Sequence, residues 1–250
     1  MGRRYCACVL LLGALATPGK AQLPDVIVET QRTVQNVMVW GAVFGDHRFG
    51  AKSSLYWDYQ PRRAEAGEIW QIQLGAVGYT RDLPNRWRAT AALGWSRGSR
   101  YGEFAPRANS AELRPWVQVT GIRPLGTWRW SDRSRVEFRA LRPIGEFAPA
   151  DADWAPTVVR VRRQDRFEHW LTPDKRSYGA LSQEFLVNVH PARSRVAMLE
   201  QTRTQFLLGR QLSPSNRLEA GYGLQRLNRR GGYEMNHALL VYFRTSVPFR

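Results

Sequence analysis

The chain has 250 residues, a formal net charge of +16, ten tryptophans and only two cysteines. After its first residues it contains no run of about 18 apolar residues, which excludes a protein that crosses a membrane with helices. Its 37 lysines and arginines are spread along the chain between apolar residues and form no basic tail. No nucleic-acid partner is therefore expected.

Residues 1–21 predict a secretory signal peptide that is cleaved from the mature chain. Arg3 and Arg4 form a positive n-region, and 9–16 form a short apolar core before a small-residue cleavage point. Export through the Sec pathway is favoured, because a Tat signal needs more than two arginines. Cleavage removes three cations and no acidic residue, so the mature chain has a formal charge of +13.

Both cysteines, Cys6 and Cys8, lie inside this signal segment. The mature chain should therefore contain no disulfide and no cysteine metal site, and the sequence predicts no cofactor. An exported protein of this size without disulfides must be stabilised by its own packing or by a membrane.

Segment 133–142 alternates charged and apolar residues, as an extended strand with two different faces requires. Its charged face comprises Arg133, Arg135, Glu137 and Arg139, and its apolar face comprises Val136, Phe138 and Ala140. A soluble sandwich would place the charged face in water. A membrane barrel would place it in the lumen and turn the apolar face to lipid.

The same alternation recurs along the chain and predicts about eleven strands. They are expected at 36–48, 54–62, 70–76, 87–95, 112–120, 133–142, 159–168, 178–190, 201–208, 218–225 and 239–249. Residues 22–34 are either a leader segment or a further strand. Tight turns are expected at 83–85 and 213–216, and further turns at 124–126 and 173–174. Longer loops are expected at 97–110 and 143–156, and an exposed loop tip at 229–232.

The clearest predicted hairpin joins 70–76 to 87–95. On its first strand, Trp70, Ile72, Leu74 and Ala76 form an apolar face opposite Gln71, Gln73 and Gly75. The last strand keeps one apolar parity from Leu239 to Phe249, although Pro248 interrupts it. A terminal strand that carries aromatic residues is typical of outer-membrane proteins, because their assembly machinery recognises it.

Together these patterns predict one all-β domain at 22–250: an antiparallel transmembrane β-barrel of 10–12 strands. The strands are about as long as a tilted membrane strand, and short turns alternate with longer loops. Twelve strands are favoured and ten are the alternative, because bacterial barrels usually close with an even number. A soluble periplasmic β-sheet binding protein, with the aromatic residues in a sandwich core, remains the other interpretation.

Six short motifs, spread over roughly 36–245, resemble the DUF2490 family of uncharacterised bacterial outer-membrane proteins. They are Glu112-Leu-Arg-Pro-Trp, Arg135-Val-Glu-Phe-Arg, Gln183-Glu-Phe-Leu-Val-Asn188, Glu200-Gln-Thr-Arg203, Gly221-Tyr-Gly-Leu-Gln225 and Asn236-His-Ala-Leu-Leu240. The loop 143–156 and the arginine-rich strand 159–168 depart from the family pattern. The resemblance implies an outer-membrane barrel and supplies no activity.

The sequence predicts no catalytic, cofactor-binding or metal-binding residue. The G-x-S-x-G pattern at 94–98 is followed by a polar loop, whereas a nucleophile elbow needs a helix there. The histidines His47, His169, His190 and His237 lack the spacing of a metalloprotease site. An acyl hydrolase acting on lipid or lipopolysaccharide is an alternative function, with His237 and either Ser182 or Ser96 as its residues.

The sequence also predicts a charged lumen wall. Its arginines and glutamates should form ion pairs across neighbouring strands, because an unpaired charge is costly in a confined interior. Its predicted members are Glu112, Arg114, Arg135, Glu137, Arg139, Arg160, Arg162, Glu184, Asn188, Gln201 and Arg203. They would either plug the barrel with ion pairs or line a passage for polar or anionic solutes, since arginine is in excess.

The predicted location is the bacterial outer membrane. The expected partners are its lipids and lipopolysaccharide, with the outer-membrane assembly machinery and periplasmic chaperones during biogenesis. A monomer is expected.

Overall fold

The computed structural model describes residues 32–155, 157–189, 198–229 and 231–249. The predicted signal peptide, its two cysteines, His190 and most of the segment 22–34 lie outside these ranges. The described residues form eleven β-strands and two short 3₁₀ turns. The all-β prediction is therefore confirmed.

The strands follow the predicted order but extend beyond most of the predicted bounds. They are β1 (Arg32–Gly50), β2 (Ser53–Ala64), β3 (Ile69–Asp82), β4 (Trp87–Gly98), β5 (Asn109–Leu125), β6 (Trp128–Ile144), β7 (Val158–Trp170), β8 (Ser177–Asn188), β9 (Leu199–Ser213), β10 (Asn216–Arg229) and β11 (Gly232–Thr245). The 3₁₀ turns lie at Glu65–Gly67 and Pro84–Arg86.

The strands close into one barrel in which each strand pairs with its sequence neighbours. Eleven strands fall within the predicted range, one fewer than the favoured twelve. With an odd number of alternating strands, the first and the last run in the same direction. β1 and β11 therefore close the barrel as a parallel pair, with Arg32 opposite Gly232 and Gly45 opposite Thr245.

The connections at the two ends of the barrel differ in length. At one end, here the turn end, β1–β2, β5–β6 and β9–β10 are each joined by two residues. At the opposite end, the loop end, the connections after β4 (99–108) and after β6 (145–157) are much longer. The predicted contrast between short turns and longer loops holds for these connections. Two connections depart from it: β7 and β8 are joined by six residues at the turn end, and β10 and β11 by two at the loop end.

Contacts between strands that are not neighbours identify the inward face of the sheet. Arg133 of β6 reaches Glu184 of β8 at 2.7 Å, and Arg166 of β7 reaches Glu219 of β10 at 2.6 Å. In a closed barrel such contacts cross the inside. Because side chains alternate along a strand, the register then assigns every strand an inward and an outward parity.

The outward parity carries an exposed large apolar side chain on every strand. One from each strand, in order, is Val37, Tyr59, Val77, Leu93, Val117, Phe138, Val161, Phe185, Leu208, Tyr222 and Leu239. The inward parity, in contrast, buries many arginines and glutamates. This distribution is the reverse of that in a soluble protein, which buries apolar residues and exposes charged ones.

One predicted face is wrong, on β3. The register places Ile72 opposite Arg62 and Leu74 opposite Gln60, so these two apolar residues face inward. An irregularity between Arg62 and Arg63 shifts the pairing, and Trp70 points outward instead of sharing their face. A bulge reverses the parity of everything beyond it, and the sequence pattern does not reveal its position.

The terminal strand is also shorter than predicted, because β11 ends at Thr245. Pro248 has no N–H group and cannot extend the ladder. The chain nevertheless stays beside β1, where the Phe249 N–H donates to the Arg48 carbonyl at 2.8 Å. The Phe249 ring lies 5.4 Å from the imidazole of His47.

Close strand packing makes one glycine of β10 a sensitive position. A Cβ at Gly221 would lie 2.0 Å from the Phe206 carbonyl oxygen and 2.9 Å from the Leu207 Cα. We expect Gly221→Ala to destabilise the barrel by about 1–3 kcal/mol, because backbone on the neighbouring strand must move. Thermal unfolding followed by circular dichroism measures this change.

The matched control is Gly179→Ala on β8, where an added Cβ meets nothing within 4 Å. This variant should unfold within a few degrees of the wild type. Equal unfolding temperatures for both variants would contradict the predicted strand register.

The charged interior of the barrel

The eleven residues predicted for the lumen wall lie on the inward parity of five adjacent strands, β5 to β9. They are all buried or nearly buried, and Glu137 has no exposed surface. These strands bring the charges together because each carries polar residues on one parity through its middle. The result is a continuous array of guanidinium and carboxylate groups, here called the interior network.

Glu137 lies at the centre of the interior network. Its two oxygens accept hydrogen bonds from Arg160 Nε at 2.7 Å and Arg162 Nη1 at 2.8 Å. Arg135 and Arg114 approach the same carboxylate at 3.6 and 3.9 Å. One buried carboxylate is thus surrounded by four guanidinium groups, and its negative charge compensates part of the positive charge of each.

Two further carboxylates extend the interior network towards the loop end. Glu112 accepts from Arg114 Nε at 2.6 Å and from Arg139 through both Nε (2.8 Å) and Nη2 (3.0 Å). Glu200 accepts from Arg160 at 2.8 Å and from Arg139 at 3.2 Å. The bidentate Arg139–Glu112 pair is a strong, geometrically specific interaction.

Sequence reasoning did not identify Glu200 as a member. It directly precedes Gln201, which faces inward, so a regular strand would turn Glu200 outward. A register shift between Leu186 and Val187, opposite the start of β9, breaks the alternation there. Only the folded pairing therefore reveals that this carboxylate reaches Arg139 and Arg160.

Glu184 connects three arginines on the turn-end side of the interior network. It accepts from Arg133 at 2.7 Å, Arg162 at 2.7 Å and Arg203 at 3.3 Å. The Gln201 side-chain oxygen supports Arg203 with two bonds of 3.1 and 2.8 Å. The remaining predicted residue, Asn188, is 1% exposed and lies opposite Arg160 at the loop end of β8.

The interior network also includes Arg133, Glu200 and, from β2, Arg62, which shares the Trp40 ring with Arg203. It contains more arginines than carboxylates. Its arginines are Arg62, Arg114, Arg133, Arg135, Arg139, Arg160, Arg162 and Arg203, and its glutamates are Glu112, Glu137, Glu184 and Glu200. Each glutamate is consequently shared by two or more arginines. Burying positive charge in excess of negative charge is unfavourable unless other groups or ions compensate it.

Two arginines are held mainly by amides and indole rings. Arg62 donates to the Gln60 oxygen at 2.9 Å and lies 4.4 Å above the Trp40 ring. Arg135 donates twice to Gln118, at 2.9 and 2.7 Å, and lies 3.7 Å from the Trp116 ring. Cation–π contacts of this kind compensate a guanidinium less than a carboxylate does.

Arg62 was absent from the predicted lumen wall, although the alternation of its strand indicates that it faces inward. It shares its parity with Ser54, Tyr56 and Asp58, the polar side of the predicted strand 54–62. Extending that parity by two residues beyond Gln60 would have identified Arg62 as inward-facing.

A cavity of about 430 Å³ occupies the turn-end half of the barrel interior. Ser215 and Ser246 line it beside the strand ends, and Arg62, Arg135 and Arg203 line its inner limit. We call these three arginines the cavity floor. The polar groups of the interior network are therefore accessible from the turn end.

On the loop-end side of the cavity floor, side chains fill the interior. Met38 and Leu240 have no exposed surface, and Trp40 is 1% exposed. Trp40 Nε1 donates to Gln71 at 2.8 Å, and Gln71 donates to the Tyr101 hydroxyl at 3.2 Å. This packed layer lies between the cavity and the loop end.

Tyr101 reaches the packed layer from the long connection after β4. Burial and the nearby carboxylate of Glu234 raise the pKa of Tyr101 to about 12. Its hydroxyl, whose oxygen accepts the hydrogen bond from Gln71, therefore remains protonated at neutral pH. The connection is further fixed by an ion pair between Glu103 and Arg32.

Within the described ranges, an ion cluster lies on the outward face of the arginine-rich strand β7 and its neighbours. Asp132 accepts from Arg163 at 3.2 Å and lies 3.7 Å from Arg123. Asp165 pairs with Arg163 at 3.1 Å and accepts from Trp130 Nε1 at 3.1 Å. The cluster balances two cations with two anions, so this part of the outer surface has no excess charge.

The residues considered for a hydrolase site do not lie on the same face of the sheet. Ser96 and Ser182 face inward and are buried, while His237 lies on the outward parity. His237 contacts the Tyr222 hydroxyl at 2.6 Å and the Gln35 amide oxygen at 2.7 Å. The G-x-S-x-G segment 94–98 lies within β4, without the turn and helix of a nucleophile elbow.

Across the described ranges, no helix has the length and hydropathy needed to cross a membrane. Within the same part of the chain, no group of three or more histidine, cysteine, aspartate or glutamate residues could hold a metal ion.

Removing the central charge tests the interior network. Glu137→Gln should lower the free energy of unfolding by about 3–5 kcal/mol, because Arg160 and Arg162 lose a buried partner. Denaturant titration monitored by circular dichroism gives this value. Glu103→Gln, in a half-exposed pair with Arg32, is the control and should change stability by about 0.5 kcal/mol or less. A similarly small effect at Glu137 would show that the network does not stabilise the barrel.

Comparison with known proteins yields one family match. The sequence profile of a family described as protein of unknown function (DUF2490) matches residues 37–236. No curated protein matches the chain.

Proposed function

This chain belongs to the DUF2490 family, and we propose that it is an integral outer-membrane β-barrel with a closed, mainly structural interior. Its signal segment would direct Sec export, and the barrel would insert from the periplasm with the help of chaperones and the assembly machinery. A catalytic role is not part of the proposal, because His237 and the two candidate serines lie on opposite faces of the sheet.

The observation that carries this proposal is the inverted distribution of apolar and charged residues. Every strand exposes large apolar side chains outward, while arginines and glutamates are buried inside. Soluble monomers rarely expose apolar patches of more than a few hundred Å². A lipid environment would cover this surface, and strands of 12 to 19 residues are long enough to cross it.

The two ends suggest an orientation. In outer-membrane barrels the short turns face the periplasm and the longer loops face outward. On that basis the turn-end cavity would open to the periplasm, and the connections 99–108 and 145–157 would lie outside. Arginine–aromatic pairs near the loop end, such as Arg63 with Trp70 and Arg226 with Tyr233, would contact lipid or lipopolysaccharide head groups.

Passage of small anions is the second candidate function. The excess of arginine in the interior network favours it, because a positive lumen selects anions. Passage would nevertheless require the packed layer of Trp40, Met38 and Leu240 to move. A closed barrel is therefore the function that the geometry supports better.

Membrane insertion is tested by fractionation. We expect the full chain in the outer-membrane fraction, migrating faster on gels before heating than after heating. Val117→Arg, on the outward face of β5, should reduce the folded fraction, because arginine near the bilayer midplane costs about 2–4 kcal/mol. Leu83→Arg, at an exposed turn-end position, is the control. Recovery of the wild type as a soluble periplasmic protein would refute the proposal and favour the β-sheet binding protein.

Planar-bilayer recording distinguishes the closed barrel from the passage function. We expect no steady conductance from the purified wild type, because the packed layer fills the lumen. Stable conductance steps with anion selectivity would instead support passage. In that case Arg162→Glu or Arg139→Glu should weaken or reverse the selectivity, since each replaces a lumen cation with an anion.

A further inference from the structure

We propose that the turn-end cavity is a binding pocket for a small oxyanion, a carboxylate or a phosphate, with Arg62, Arg135 and Arg203 as its floor. This inference goes beyond the proposed function, because it requires only the barrel fold and the cavity. It holds whether or not the barrel conducts ions.

The three floor arginines line the same cavity and are linked through shared contact residues. Arg62 and Arg203 both approach the Trp40 ring, at 4.4 and 5.9 Å. Arg162 links Arg203 to Arg135 through two carboxylates. It binds Glu184, which also pairs with Arg203, and Glu137, which also lies near Arg135. Four guanidinium groups therefore surround the inner end of one cavity.

The charge of the cavity lining is strongly unbalanced. Its arginines are Arg62, Arg88, Arg129, Arg133, Arg135, Arg162, Arg166, Arg203, Arg217 and Arg244, and its acids are Asp46, Glu168 and Glu184. Ten arginines and three carboxylates thus line the described part of the cavity. Carboxylates behind the lining pair with some of these arginines: Glu137 with Arg162, Glu219 with Arg166 and Arg244, and Asp82 with Arg88. The arginines remain in excess when these three carboxylates are counted. An anion bound among them would offset the cost of holding buried like charges together.

The carboxylates near the floor are already engaged. Glu184 is shared by Arg133, Arg162 and Arg203. Asp58, on the Arg62 side, accepts from the Tyr56 hydroxyl at 2.6 Å and from the Gln60 amide at 3.0 Å. The side-chain contacts described for Arg62 are therefore the Gln60 amide oxygen and the Trp40 indole ring.

The lining chemistry indicates an oxyanion. Guanidinium groups bind carboxylates and phosphates through paired N–H donors, which few other ligand groups match. The Tyr242 hydroxyl and the Gln205 amide, 3.1 Å apart, lie in the same lining and can bind a ligand hydroxyl. The volume of about 430 Å³ suits a small organic acid or a sugar phosphate.

A soluble ligand fits this cavity better than a lipid does. The lining is mostly polar, and Phe44 and Ile122 are among its few apolar members. Ser215 and Ser246 at the turn end place its approach among strand ends. The outward apolar face, where lipid would lie, is on the other side of the sheet.

Binding is tested on the full-length protein purified in an uncharged detergent. Inorganic phosphate and citrate are titrated by calorimetry, with sodium chloride at equal ionic strength as the reference. We expect saturable binding and a higher unfolding temperature with phosphate or citrate. Arg62→Met and Arg203→Met should each raise the Kd by about tenfold or more, because each removes charge-assisted hydrogen bonds. Arg107→Met, at an exposed loop position, should bind as the wild type does.

The unfolding temperature of the variants without added anion distinguishes a ligand-binding role of the floor arginines from a structural role. If the floor arginines bind a ligand, Arg62→Met should unfold at the same temperature as the wild type or higher, since it relieves repulsion. A lower unfolding temperature with an unchanged response to phosphate and citrate would overturn the proposal.

A wild-type response to phosphate or citrate no greater than that to chloride would also overturn it. A response only to short-chain phosphatidylglycerol would assign the pocket to a lipid head group and refute a soluble ligand. Because these measurements are made in detergent, their failure is independent of whether the chain reaches the outer membrane.

Discussion

Pairing of buried charges inside a closed sheet is the constraint on which the rest of this structure depends. Closure satisfies the backbone hydrogen bonds, but it also confines one face of every strand. On β5 to β9 that face is made of arginine and glutamate, so each charge needs a partner from a nearby strand. Glu137 is enclosed by four guanidinium groups. These ion pairs form only when the strands are in this register, so the register and the charge pattern depend on each other.

The same constraint explains why the two halves of the interior differ. Towards the loop end, Glu112 and Glu200 pair with Arg139 and Arg160, and indole and aliphatic groups complete a packed layer. Towards the turn end, arginines outnumber carboxylates and a cavity remains. An excess of fixed positive charge beside an open volume is what an anion-binding pocket needs. The structural role and the proposed binding role therefore occupy different levels of one barrel.

Much of the architecture was predictable from particular residues. Alternation in segments such as 133–142 and 218–225 identified the strands and their faces, and all eleven predicted lumen residues lie on the inward parity. The predictions went wrong where a local irregularity broke the alternation. The bulge beside Arg62 separated Trp70 from the face that carries Ile72 and Leu74, and the register shift near Val187 brought Glu200 into the interior network. The favoured even strand number came from analogy, whereas the pattern itself contained about eleven strands.

The sequence by itself determined the all-β class, the two-faced strands and the excess of arginine, because a period of two and a charge count are local or additive properties. Only the tertiary structure decided which charges meet, how the first and last strands close, and where the interior is filled or open. Those features depend on register, bulges and contacts across the barrel. They join residues far apart in the chain, as Arg139 and Glu200 are, and no local pattern records such pairs.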